Sequence, residues 1–321
     1  MNGRTLVKNV LSGHPCARTP VYAWVRENLS REISAAFGSV EALEDHYAFD
    51  LAHLFGGPSP FDQTAIGRLR DQNIEVTPEI ALRIPLLSVD RSADYQAVRD
   101  SLDFYQKQRG RFCYMQTPGI FECLNDLFGI EDHLCYMALY PEAMKEIYQR
   151  QARWNRDFAD CVMDLGVDMV HISDDWGSQR GLLFSPQMFY SMIYPAHKLV
   201  CDHVRKRGCF LSLHTDGNIN TVLDAVADLG YQALHPWQES AGMTYDRYLS
   251  QYADRLTLFG GLCIQTTLGF GDPIHVEREL RRVFSQLKGK RWIFCTTHFV
   301  QNHCSIEELT MALDLAVKLA R

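Results

Sequence analysis

With 321 residues, 46% of them hydrophobic and 22% charged, the chain has the composition of a globular protein with a sizeable core. That length accommodates two ordinary domains or one α/β barrel. The net charge of −7 comes without a Lys/Arg stripe, which argues against nucleic acid as the main partner. No run approaches the length of a membrane-spanning helix, and the first twenty residues have no signal-peptide apolar core. Ten cysteines at irregular spacings, with no CxxC, suit a reduced, cytoplasmic protein whose thiols are mostly small core residues.

In chain order, an N-terminal extension leads to "PVYAWV" (20–25), which reads as a strand. "SREISAAFG" and "SVEALEDHYA" read as short helices, the second with Ser39 as N-cap. A poorly defined strand falls near 46–54, and 58–92 reads as loop with small strands. Beyond residue 90 helices and apolar runs alternate. The helix from Ser92 precedes strand 111–117; the helix from Tyr140 precedes 167–175; the helix from Ser185 precedes "CFLSLHTDG". Three further units end in "YQALHPWQ", "LTLFGGLCIQ" and "RWIFCTTHF", and "SIEELTMALDLAVKLA" closes the chain. Strand–helix repetition implies a parallel sheet, and eight strands make a (β/α)8 TIM barrel in a single domain over residues 1–321. The Gly-rich phosphate fingerprints of an open doubly wound sheet are missing.

In a barrel the chemistry sits at the C-terminal ends of the strands. That places Glu122 after strand 111–117, and Asp174, Asp175 and Trp176 after 167–173. His214 and Asp216 end the next strand, with Asn218 two residues on. Trp237 and Gln238 follow, then Cys263 and Gln265, then His298. Glu122, Asp174 and Asp175 are the candidate acid–base and orienting groups. Tyr22, Trp24, Trp176, Asn218, Trp237, Gln238 and Gln265 are candidates for the substrate pocket, with the three tryptophans as its flat apolar walls. His214 and Asp216, at i and i+2 of an extended segment, can reach one ion, although "TDGN" is equally good turn chemistry. His298 at the end of the last strand adds a second imidazole, and two imidazoles with a carboxylate form the open ligand set of a catalytic zinc. Two unrelated histidines bonded to backbone are the plain alternative. His171, His235 and His303 read that way, and His197, His203 and His275 read as helix-surface residues.

The stretches "TPVYAWVRE", "ISDDWGSQRGLLFSPQMFYSMIYPAHK", "LHTDGNI", "LHPWQESAGM", "LFGGLCIQTTLGFGDP" and "THFVQNHCSIEEL" together resemble the uroporphyrinogen decarboxylase superfamily, in order, over roughly residues 18 to 318. The resemblance implies a (β/α)8 barrel. The decarboxylases themselves carry an Arg-rich "MRQAGR" after the first strand. Here "WVRENLSRE" keeps Arg26 but not the Gly or the second Arg. The superfamily's zinc-dependent, corrinoid-linked methyltransferases carry His-x-Cys-Gly at the fifth strand and a Cys at the eighth. On that pattern His214 is kept, Asp216 stands at the first cysteine and His298 at the second. A site that keeps sulfur would use Cys295 or Cys304, and Cys263 stands where relatives commonly have Asp.

The resemblance therefore implies a methyltransferase that takes a methyl group from a methylated small molecule, such as a methoxylated aromatic, with zinc as Lewis acid. The acceptor would be a corrinoid (cobalamin) carried by a separate protein, since no corrinoid-binding segment is visible; a homodimer is compatible with this. A cofactor-free decarboxylase using Asp174 and Asp175, with Arg26 and Arg180 as its cations, and a metal-free binding relative are the alternatives.

Overall fold

The computed structural model describes residues 1–72 and 74–321. Among the described residues seven strands are formed: β1 (Leu51–Leu54), β2 (Phe112–Thr117), β3 (Met169–Ser173), β4 (Phe210–His214), β5 (Ala233–His235), β6 (Thr257–Leu262) and β7 (Trp292–Thr296). They follow one another in sequence order in the sheet, and the registers of β2–β3–β4 and β5–β6–β7 are parallel. Between strands the chain runs through helices, as a parallel sheet requires. The fold is α/β and compatible with a TIM-like barrel, but it is not the closed eight-stranded barrel expected from the sequence.

The missing strand is the first. Residues 20–25 are buried, yet only Val21 forms a strand bridge, parallel with Phe294 of β7. Tyr22 N–H donates to the Phe294 carbonyl, Phe294 N–H to Pro20, and Asp50 N–H to Val21. Pro20 has no N–H to donate, and Val25 N–H turns back to Ala23, so the ladder ends after one rung. The ambiguous stretch near 46–54 is a true strand, β1. The region 58–92 holds helices Gln63–Asp71 and Pro78–Arg83 and no strand among its described residues, which corrects the expectation of small strands. Asp62 caps the first with its carboxylate on Thr64 N–H and Ala65 N–H. The N-terminal extension is a packed helix, Gly3–Leu11, burying Leu6, Val7, Val10 and Leu11.

The chain divides into two compact units, each assembled from separate stretches. One holds residues 1–52, 105–113 and 232–321, and the other 53–104 and 114–231. In the second, helix Pro141–Leu165 buries a stripe from Met144 through Ile147, Tyr148, Ala152, Asn155, Phe158 and Val162, and ends at Gly166 in the left-handed conformation. In the first, helices Pro273–Leu287 and Ile306–Ala320 bury Leu280, Val283, Phe284 and Leu309, Leu313, Ala316 respectively. No described helix is long and apolar enough to cross a membrane.

Candidate functional site

In the unit of β2, β3 and β4, the register sets Thr117 beside Ile172 and Ser173 beside His214, so the three strand ends lie level. Four carboxylates, Glu122, Asp174, Asp175 and Asp216, and one imidazole, His214, gather there. Asp174 follows β3 and is fully buried. Its Oδ1 accepts the backbone N–H groups of Ile120 (3.0 Å), Phe121 (2.8 Å) and Glu122 (2.7 Å). Its Oδ2 accepts the Trp176 indole N–H at 2.8 Å and His197 Nε2 at 2.7 Å. An ionised carboxylate only accepts, so His197 carries its proton on Nε2 and its Nδ1 takes the Tyr231 phenol O–H at 2.7 Å. Burial holds that phenol far above its ordinary pKa, which keeps the proton on Tyr231.

Asp174, expected as an acid–base group, thus has five donors on two oxygens and none to offer a substrate. Its effect is on Glu122, whose backbone it fixes at the start of the short helix Glu122–Leu124. Trp176, expected in the pocket wall, is fully buried against Phe189 and His197, with its N–H held by Asp174. His197, expected on a helix surface, is fully buried. The signal was present in the sequence: Ile193, His197, Val200, Cys201 and Val204 form one stripe at helical spacing, all buried.

Asp175 and Asp216 remain available. Asp175 Oδ1 accepts Asp216 N–H at 2.7 Å and lies 3.8 Å from His214 Nε2. His214 and Asp216 offer ligand atoms within 4.8 Å of each other. The loops after β3 and β4 meet backbone to backbone, since Asn218 N–H donates to the Ser178 carbonyl at 2.8 Å. This contact needs glycine on both sides. A Cβ on Gly177 would lie 2.5 Å from the Asp216 carbonyl, and Gly217 has φ +82° with Ser178 O 2.6 Å from its would-be Cβ. Asn218, expected to touch substrate, folds its side-chain oxygen back onto Asn220 N–H.

The crowding has an electrostatic consequence. Burial first, then the charges of Asp175 and Asp174, push Glu122 up to about 8. Burial and Asp175 push Asp216 up to about 7. Like charges gathered out of water retain protons until a cation relieves them. Nitrogen and oxygen donors in such a cluster fit zinc. His171, mid-strand in β3, takes no part: its Nδ1 is 2.6 Å from Ser212 Oγ, and burial holds it neutral.

In the other unit, His298 lies two residues beyond β7 and is half-buried. Trp24 stacks on His235 with centroids 4.3 Å apart, meets His298 edge-on at 5.8 Å and packs against Phe299 at 4.8 Å. The Trp24 backbone N–H donates to Thr296 Oγ1. His235 donates from Nε2 to the Thr296 carbonyl, the backbone-bonded arrangement expected of it. Gln238 donates to Gln265 Oε1 at 2.6 Å, which also takes the Ser240 hydroxyl. Trp237 is fully buried, its N–H on the Thr244 carbonyl and its ring against Tyr248 and Tyr252. Tyr22 is buried edge-on to Phe49. Cys295 and Cys304 are buried thiols, both with raised pKa, Cys304 to about 12, so neither is disposed to form a thiolate unaided. Arg26 is committed to Glu41, Glu44 and the Tyr105 hydroxyl, and Arg180 is exposed.

A parallel α/β sheet with acids and imidazoles at its strand ends defines an enzyme-like scaffold. The uroporphyrinogen decarboxylase (URO-D) family model matches residues 119–319, and the chain belongs to that family. No curated protein matches the sequence. Among solved structures, a methyltransferase from Methanosarcina mazei is similar at 14% identity, with 100% of both chains covered and a TM-score of 0.70. A xylose isomerase domain protein from Alicyclobacillus acidocaldarius is similar at 13% identity, over 95% of this chain and 99% of that one, with a TM-score of 0.47. At such identities the first likeness speaks to fold alone, and the second carries no argument.

Proposed function

We propose that this family member is a zinc-dependent methyltransferase that takes a methyl group from a methylated small molecule, a methoxylated aromatic being the favoured class, for a corrinoid on a partner protein. The observation that carries the reading is the His214–Asp216 pair, with ligand atoms in reach of one ion, in a cluster of carboxylates where burial and neighbouring charge push Glu122 and Asp216 up. His214, Asp216 and His298 are the proposed ligands, since in the sequence they stand at the positions that the pattern of the resembled methyltransferases gives to zinc ligands. Zinc bound there would supply Lewis-acid polarisation of the leaving heteroatom.

The chain's own groups divide the remaining work. Glu122 holds a proton at neutral pH and can place it on a departing oxygen, or orient the donor through it. Asp175 holds the Asp216 backbone and steadies His214, while Asp174 fixes the backbone of Glu122 from behind. Gln238 and Gln265 supply amide groups for a polar substituent, and Trp24 backs the His298 ring with apolar surface. Cofactor-free decarboxylation of a carboxylated substrate finds less support, because Arg26 is already paired and so is not free to hold the substrate's acids.

Metal content of protein purified without chelator decides the matter. About one zinc per chain is expected for the wild type, lost in His214→Ala and in His298→Ala. Methyl transfer from methoxyaromatics to a reduced corrinoid should disappear with it. Metal-free wild type that takes up no zinc on addition would end the proposal.

A further inference from the structure

The unit that carries β5–β7 has a cavity whose lining includes none of the residues assigned a role in the proposed function. It measures about 310 Å³ and lies between the segment 10–20 and the approach to β7, lined by His14, Arg18, Lys288, Lys290, Arg291 and uncharged residues. No carboxylate lines it. The chain as a whole carries a net charge of −7, so this concentration of cations runs against its average.

The cations are not equivalent. Arg18 is neutralised by Asp50, with both terminal nitrogens 2.6 Å from the carboxylate oxygens. Arg291 is not. Its terminal nitrogens donate to the backbone carbonyls of Asp254 and Leu11, both at 2.7 Å, and its Nε is buried without a partner. Lys288 donates to the Leu319 carbonyl at 2.8 Å and Lys290 is exposed. Carbonyls solvate a cation but leave its charge in place. Three positive charges, Lys288, Lys290 and Arg291, thus share one concavity.

We infer that this cavity is a binding site for a small phosphate-bearing anion. The volume sits at the lower end of the range for small-ligand sites, which limits the ligand to a few phosphate groups or a small phosphorylated metabolite. The fork of Arg291, which would grip either anion in bidentate fashion, is occupied by carbonyls, and phosphate is favoured over carboxylate by its higher charge and its three acceptor oxygens. What remains are lysine ammoniums, which hold phosphate as point charges.

Calorimetric titration of the full chain with inorganic pyrophosphate tests the site. The wild type should bind one equivalent saturably. The double variant Lys288→Glu/Lys290→Glu should bind at least about tenfold more weakly, since both charges are reversed. Both side chains are exposed, so the variant should keep the wild-type circular dichroism and melting temperature, whereas Lys198→Glu, on an exposed helix face of the other unit, should leave pyrophosphate binding unchanged. The inference is overturned by an absence of saturable binding, by equal affinity in the double variant, or by citrate binding as tightly as pyrophosphate.

Discussion

Removing the Asp174 carboxylate would strand three backbone N–H groups, an indole and an imidazole N–H in the core. Each unsatisfied buried donor costs about 1–3 kcal/mol. Asp174→Ala is therefore expected to lower stability by at least about 3 kcal/mol, read from the urea midpoint; a loss below about 1 kcal/mol would refute the network's importance. The titrating groups make a separate prediction. A carboxyl whose folded pKa is raised keeps a proton that the unfolded chain has released, so its contribution to stability falls as pH rises through the folded value. Buried His133 and His171 act oppositely, but only up to the ordinary histidine value of about 6.5. Metal-free protein should thus lose stability between about pH 6.5 and 8, where Asp216 and Glu122 ionise. Thermal melts in chelator across that window check it, and Glu122→Gln should flatten the decline.

At the level of elements, the loops after β3 and β4 hold their residues in place through glycine contacts. In Gly177→Ala the new methyl would have to displace the Asp216 carbonyl or the Asn218 N–H, 2.5 and 2.9 Å away. Loss of zinc affinity by about tenfold or more is expected, as for other groups that orient ligands, with a melting temperature only a few degrees lower. Competition against a zinc chelator measures it, and wild-type affinity in the variant would show that the loop contact is immaterial. The same elements show what the sequence could and could not reveal. The strand ends bearing Glu122, Asp175, His214 and His298 were legible, because period and helix punctuation locate parallel strands well. The buried bonding of Asp174, Trp176 and His197 was not. A polar residue at a strand end reads identically whether it faces a ligand or a neighbouring helix, and only packing distinguishes them. Segment 20–25 reads as a strand for a related reason: β-branched and aromatic content signals burial, whereas ladder formation depends on which N–H groups are free.

For the whole molecule, neither unit is a continuous piece of chain. A fragment of residues 1–231 would retain all of one unit but remove β5, β6 and β7 from the other. Trp24 N–H would then lose Thr296, and Tyr22 N–H would lose Phe294. This fragment should aggregate or show no cooperative unfolding by circular dichroism for the part containing residues 1–52. A full-amplitude cooperative transition would contradict the division.

The pairing of residues 20–25 with β7 also bears on how the protein is made. Trp24 and Thr296 are 272 positions apart. At a synthesis rate of about 5–20 residues per second, the ribosome needs roughly 15–50 s to produce the partner after Trp24 appears. Throughout that interval Val21, Tyr22 and Trp24, nearly fully covered in the finished protein, await their neighbours. Until then the nascent chain offers a hydrophobic handle to chaperones, and residues made hundreds of positions later decide whether segment 20–25 is ever protected.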